Sequence, residues 1–185
     1  MLYPLPVVLV SCGITTETHN LITVAWCGTV CTNPPMLYIS LKPERYSYGI
    51  IKEAKEFVIN IPSRQFCRVV DYCGVKSGRD INKWEHFKLD KTPSAVIDTP
   101  QLDLCPIRLE CKVKQILPLG SHEMFIAEVV NVVVLQSLVD KKGYLNLQKA
   151  DLITFSHGAY TALSTEIGRF GFSVKKNRKY PSFLL

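Results

Sequence analysis

Two long apolar runs, Ile107–Ile116 and Glu123–Leu135, follow one another with only a short turn around Pro118-Leu119-Gly120 between them. They are rich in Val, Ile and Leu, so they read as two long antiparallel strands of one hairpin. Strands of that length suit a sheet that wraps around a barrel. Shorter runs of the same character cover Val7–Ser11, Leu21–Trp26, Met36–Leu41 and Phe57–Ile61, bounded by turn residues such as Asn33-Pro34-Pro35. Two helices complete the pattern. From Ser47, the residues Ile50, Ile51, Ala54 and Phe57 mark an apolar face, while Lys52, Glu53, Lys55 and Glu56 mark a wet one. After Pro62, with Ser63 as N-cap, Phe66, Val69, Val70 and Cys73 recur at helical spacing up to Gly74. Many strands, few helices and no strand–helix alternation exclude a doubly wound sheet. The expected class is mainly β with flanking α, an antiparallel barrel with helices packed outside.

With 185 residues the chain fits a single domain over 1–185. A basic and aromatic arm at 171–185 extends it, with Lys175, Lys176, Arg178 and Lys179 beside Phe172, Tyr180, Phe183 and Leu184. A composition 47% hydrophobic and 21% charged excludes intrinsic disorder. No apolar run approaches the ~20 residues of a membrane span. The run PLPVVLV at 4–10 lacks a charged segment before it, since the first Lys or Arg is Lys42. A soluble, cytoplasmic protein is expected. The net charge of +6 is concentrated in the arm and reads as a solvated terminal face rather than a nucleic-acid surface.

Several chemistries are excluded by what the sequence lacks. It has no GxGxxG after a strand, no GxxxxGK[ST], no HExxH and no GxSxG. The four histidines at 19, 86, 122 and 157 are too dispersed to announce a metal site. The seven cysteines form no CxxC pair, so they read as reduced thiols acting as small hydrophobes. No metal is expected. Two segments carry a positive signal. In Asn20-Leu21-Ile22-Thr23-Val24-Ala25-Trp26, strand parity puts the Asn20 amide and the Trp26 indole on one face. An amide and an indole together suit a flat heteroaromatic ligand with polar edges. In Ser40-Leu41-Lys42-Pro43-Glu44-Arg45-Tyr46-Ser47, a strand end leads into a helix start. There Ser47 and the first free amides, with Arg45 beside them, could hold an anion.

Taken in order, PLPVVLVSC, NLITVAWCGTVCTNPP, SLKPERYSYGIIKEAKEFVINIP, CGVKSGRDINKW and LGSHEMFIAEV, with the segment around Phe155, resemble the flavin reductase-like family of FMN-binding split barrels, flavoredoxin type. The likeness covers nearly the whole chain. It implies a split antiparallel β-barrel and an FMN site. Asn20 and Trp26 match flavin-contacting residues, Ser47 matches a hydroxyl that holds the phosphate or ribityl chain, and Ser40 and Arg45 are neighbours by proximity. Lys83 matches a basic residue that reaches the cofactor, His122 a residue near the isoalloxazine, and Phe155 an aromatic that closes over the ring. No catalytic residue is implied. The resemblance also implies a homodimer and an oxidoreductase. Electrons or hydride would pass from NADH, NADPH or a redox-protein donor to flavin or a redox partner. A non-catalytic FMN-binding or electron-carrier protein is the alternative.

Overall fold

The computed structural model describes residues 2–103 and 105–174. Its largest unit is a seven-stranded antiparallel sheet in the spatial order β3-β2-β6-β9-β10-β5-β4. The strands are β2 (Val8–Cys12), β3 (Asn20–Val24), β4 (Cys27–Thr32), β5 (Pro35–Leu41), β6 (Glu56–Ile61), β9 (Ile107–Pro118) and β10 (Glu123–Val134). Helices α1 (Tyr46–Ala54), α2 (Cys67–Val75) and α3 (Lys83–His86) flank it. A small sheet joins β1 (Leu5–Pro6) to the hairpin β11 (Ile153–Ser156) and β12 (Ala159–Ala162), and β7 (Lys91–Thr92) pairs with β8 (Gln101–Leu102). The fold is thus mainly β, as the long hairpin led one to expect.

Connectivity curls the large sheet. Strands β3 and β4 are its two edges, yet only Ala25 and Trp26 separate them in sequence. Laid flat, seven strands would set the edges about 29 Å apart. The three peptide steps from Val24 to Cys27 reach about 11 Å. At this end the edges must therefore approach one another, with an open seam between them. The Ser40 amide, at the end of β5, donates to the Trp26 carbonyl at 2.8 Å across this corner.

Alternation along the strands divides the core. Val8, Val10, Ile22, Val24, Ile39, Phe57, Ile59 and Phe125 fill the concave side together with Ile51 of α1. Val7, Leu9 and Leu21 point the other way, against Phe66, Val69, Val70 and Cys73 of α2, Trp84 of α3 and Ile153. Strand β2 is buried on both faces, which explains its unbroken apolar run.

Several local expectations need correction. The strand expected over Leu21–Trp26 ends at Val24, so Trp26 lies in the corner and its shared parity with Asn20 has no structural meaning. Strand β4 was not anticipated, because Gly28 and the Thr and Cys residues around it carry no apolar alternation. Helix α1 begins at Tyr46 with Arg45 as its N-cap, so Ser47 lies inside the first turn. The helix stops at Lys55, whose φ of 58° is left-handed, and Phe57 belongs to β6. Ser63 makes no capping bond: a short tight turn, Arg64–Phe66, precedes α2, which runs through Gly74 to Val75. The face of Phe66, Val69, Val70 and Cys73 is buried all the same. Of the arm expected at 171–185, only residues 171–174 lie among those described, with Phe172 half exposed; Lys175, Lys176, Arg178, Lys179, Tyr180, Phe183 and Leu184 lie outside them. Among the described residues, no helix is long and apolar enough to cross a membrane.

Candidate functional site at the open seam

Strand β3 pairs with β2 on one side only, so half of its peptide groups face the seam. The Lys83 ammonium identifies which half. It donates to the Leu21 carbonyl at 2.6 Å, so Leu21 points its peptide groups away from β2. Antiparallel alternation then turns the Thr23 N–H and C=O to the same free edge. These groups border a cleft of about 230 Å³ lined by Ile22 to Trp26, Ser40 to Lys42, Arg45 and His122.

Three features of the cleft differ in chemistry. At one end the Trp26 and His122 rings stand 4.4 Å apart at 31°, with Ser121 Oγ bonded to His122 Nδ1 at 2.9 Å. Trp26 is 44% exposed, a large apolar surface left uncovered. In the middle lies the unpaired edge of β3. At the other end, α1 begins with no capping side chain and no acidic residue in its first turn. Its amide dipoles and the Arg45 guanidinium therefore present positive potential to the cleft. Arg45 is steadied by a 2.9 Å bond from Nη2 to the Gly74 carbonyl.

Behind the edge, Asn20 Nδ2 donates to Ser47 Oγ at 2.8 Å, and both residues are buried. Gly78 presses on this pair: a Cβ there would collide with Asn20 Oδ1 and the Tyr46 ring. Lys83 is 2% exposed and divides its ammonium between the Leu21 and Cys73 carbonyls, the latter at 3.2 Å. Burial, with Arg45 nearby, lowers its pKa. The Cys12 and Cys73 thiols are pushed up by burial, Cys12 to about 12 and Cys73 to about 11, so both stay protonated at neutral pH.

The structure thus gathers Trp26, Ser40, Arg45 and His122 around one cleft. Asn20, Ser47 and Lys83 form a buried layer beside it. Phe155 is elsewhere: on β11 it pairs with Leu5, contacts Tyr160 and packs against the second core. Thr23, Ala25, Lys42 and Gly78 were missed. The first three carry no sequence signal, because what matters is a free strand edge; Gly78 was visible as a lone glycine between Ser77 and Arg79.

The residues present fit an elongated ligand with a flat ring at one end, a polar edge in the middle and an anion at the other. Ring contact, unpaired peptide donors and an uncapped helix start meet those three parts in order. Fold and cleft together define a class: curled antiparallel sheets with a cleft at an unclosed edge. The chain belongs to the flavin reductase like domain family, whose model matches residues 1–164. Among solved structures it is similar to the flavoredoxin of Desulfovibrio vulgaris (Miyazaki F), with 29% identity, 95% of each chain covered and a TM-score of 0.87. It is also similar to the flavoredoxin of Methanosarcina acetivorans, with 25% identity, 95% of each chain and a TM-score of 0.84. An uncharacterised protein of Archaeoglobus fulgidus is 30% identical over 145 residues, 78% of this chain and 81% of that one.

Proposed function

We propose that this chain is an FMN-binding oxidoreductase that holds its cofactor along the seam. The observation that carries the reading is the convergence of the Trp26–His122 pair, the free β3 edge and the Arg45-flanked helix start on one cleft. Family membership and the likeness to flavoredoxins support it. Bound FMN supplies the redox chemistry, taking up and releasing hydride or electrons at its ring. The protein's own part is binding and orientation. The indole of Trp26 covers apolar ring surface, the Thr23 N–H donates to its polar edge, and His122 stands as a second donor there. Arg45 and the first amides of α1 hold the phosphate, with Asn20 and Ser47 keeping that turn in register. Lys83 holds the Leu21 end of the free β3 edge.

The donor is NADH, NADPH or a reduced redox protein, and the acceptor free flavin or a redox partner. The unpaired thiols fit a reducing, cytoplasmic setting. Homodimerisation is part of the same reading. Met36, Tyr38, Met124 and Ile126 alternate onto the outer face of β5 and β10, a half-buried apolar strip suited to a second copy.

The test starts with purified chain and FMN. It should bind FMN, and an absorption spectrum taken anaerobically should bleach when NADH or NADPH is added. Binding without bleaching by either nucleotide or by a reduced redox protein supports the non-catalytic carrier instead. Loss of Arg45 to Ala should weaken FMN about tenfold while changing riboflavin, which lacks the phosphate, far less. A chain that binds neither flavin ends the proposal.

A further inference from the structure

We propose that the hydrogen bond from Tyr48 to Glu123 is a strut that sets His122 against the cofactor ring, which makes Tyr48 and Glu123 positioning residues of the site. What His122 faces rests on the flavin reading; how His122 is held rests on contacts within the chain. His122 ends the turn between β9 and β10, and that turn offers it little support. Residues 118–121 are all exposed, and Gly120, with a left-handed φ of 89°, has open space where a Cβ would stand. The Leu119 amide closes the turn by donating to the His122 carbonyl at 2.8 Å. The ring's own partner, Ser121 Oγ at 2.9 Å, belongs to the same turn and moves with it. Pairing with β5 begins only at Glu123, opposite Leu41. Among the described residues, the hold on His122 from outside the turn therefore comes from the Trp26 ring and from Glu123.

Glu123 is gripped from the opposite face. Strand alternation turns it inward, on the side of the core residue Phe125, while His122 turns outward. There Tyr48 Oη donates to Glu123 Oε2 at 2.6 Å. Lys52 Nζ donates to Tyr48 Oη at 2.7 Å and lies 3.7 Å from the same carboxylate oxygen. A charged acceptor makes such a bond stronger than a neutral one. Tyr48 and Lys52 stand four apart on α1, so one helix face supplies both groups. The Tyr48 ring is edge-on to Phe125 at 5.6 Å, which limits its swing. This helix is also the one whose start flanks the anion end of the cleft. The Tyr48 amide donates to the Arg45 carbonyl at 2.9 Å, and the preceding residue, Ser47, takes the Asn20 amide. A single helical turn thus borders the anion end of the cleft and, through Glu123, sets the ring partner at the other end. A tie that merely fastened α1 to the sheet would add stability and leave His122 indifferent.

Three variants of the full chain separate the two. Glu123→Ala removes both contacts, Glu123→Gln keeps an acceptor for the Tyr48 hydroxyl, and His122→Ala removes the group acted upon. In the flavin-free chain, the Leu119 amide proton should exchange at least about fivefold faster in Glu123→Ala than in wild type, with the central rungs of β9 and β10 unchanged. Glu123→Gln should restore the slow exchange. With FMN, a donor at the ring's polar edge favours the reduced cofactor. The ratio of affinities for reduced over oxidised FMN, read from the reduction potential, should therefore fall at least about threefold in His122→Ala and in Glu123→Ala. The double variant should fall no further than His122→Ala alone. Additive falls, or a Glu123→Ala chain with lowered Tm but wild-type exchange and ratio, would overturn the strut. Tyr48→Phe keeps the ring on Phe125 and loses only the hydroxyl, so it gives the same pattern should Glu123→Ala fail to fold; wild-type values in it would also overturn the proposal. Faster Leu119 exchange in a chain that binds no FMN would overturn the flavin reading and leave the hold on His122 supported.

Discussion

Lys83 illustrates how far a residue's type can mislead about its task. A lysine in a polar segment suggests a hand extended to an anion, yet here the ammonium is sealed between two backbone carbonyls. Lys83→Met should therefore weaken FMN and riboflavin by the same factor and lower stability by about 1–3 kcal/mol, since it strips a charged donor from buried acceptors. A loss confined to FMN, measured by parallel titrations, would show the ammonium at the phosphate after all. Gly78→Ala acts in the same layer. Its methyl would displace the Asn20–Ser47 pair, so both flavins should bind more weakly although position 78 carries no side chain of its own. Of these residues the sequence revealed identity but not depth. Trp26, His122 and Arg45 entered through the family resemblance, since each alone suits an ordinary structural use, and the structure brings all three to one cleft. The buried role of Lys83 was not legible, because it depends on α3 folding back under β3.

At the scale of elements, two carboxylates fasten the loop before β8. Glu110 on β9 accepts the Ala95 and Val96 amides, the Gln101 amide and the Asn131 amide at 2.8–2.9 Å. Glu56 on β6 accepts the Asp98 and Thr99 amides at 2.8 and 2.7 Å. A bulge in β10 between Val129 and Asn131 turns Asn131 opposite Glu110, which accounts for a polar residue inside an apolar run. Burial alone would raise the Glu110 pKa; the hydrogen bonds from Ala95, Asn131 and Val96 outweigh it and hold the carboxyl below its ordinary value. A carboxyl depressed in the folded state stabilises above its unfolded pKa, and that contribution fades as the pH falls through the folded one. Glu110→Gln should thus cost about 3 kcal/mol at neutral pH, a fall in Tm of roughly 6–12 °C, and flatten the stability profile below pH ~4.5. Thermal melts from pH 7 to 3 check both. Strand positions for this region were readable from apolar alternation. The clamp was not, since Glu110 and Asn131 meet only through a bulge that alternation does not encode.

For the molecule as a whole, the apolar strip on β5 and β10 predicts self-association. Ile126→Lys should convert a dimeric mass in light scattering to a monomeric one without unfolding the sheet, and a wild-type monomer at micromolar concentration would remove the dimer from the proposal. The curled sheet was legible in outline from its long hairpin. Its seam was not, because nothing in the residues around Ala25 announces that two edges fail to zip together.

That failure has a consequence for evolution and engineering alike. Seven strands offer six ladders, and the missing seventh leaves peptide groups at Thr23 in want of company. If flavin lies at this edge as proposed, any change that let β3 and β4 knit would strengthen the shell and evict it. Occupancy and closure compete for the same amide, so exchange of the Thr23 proton with deuterium should slow when flavin is added.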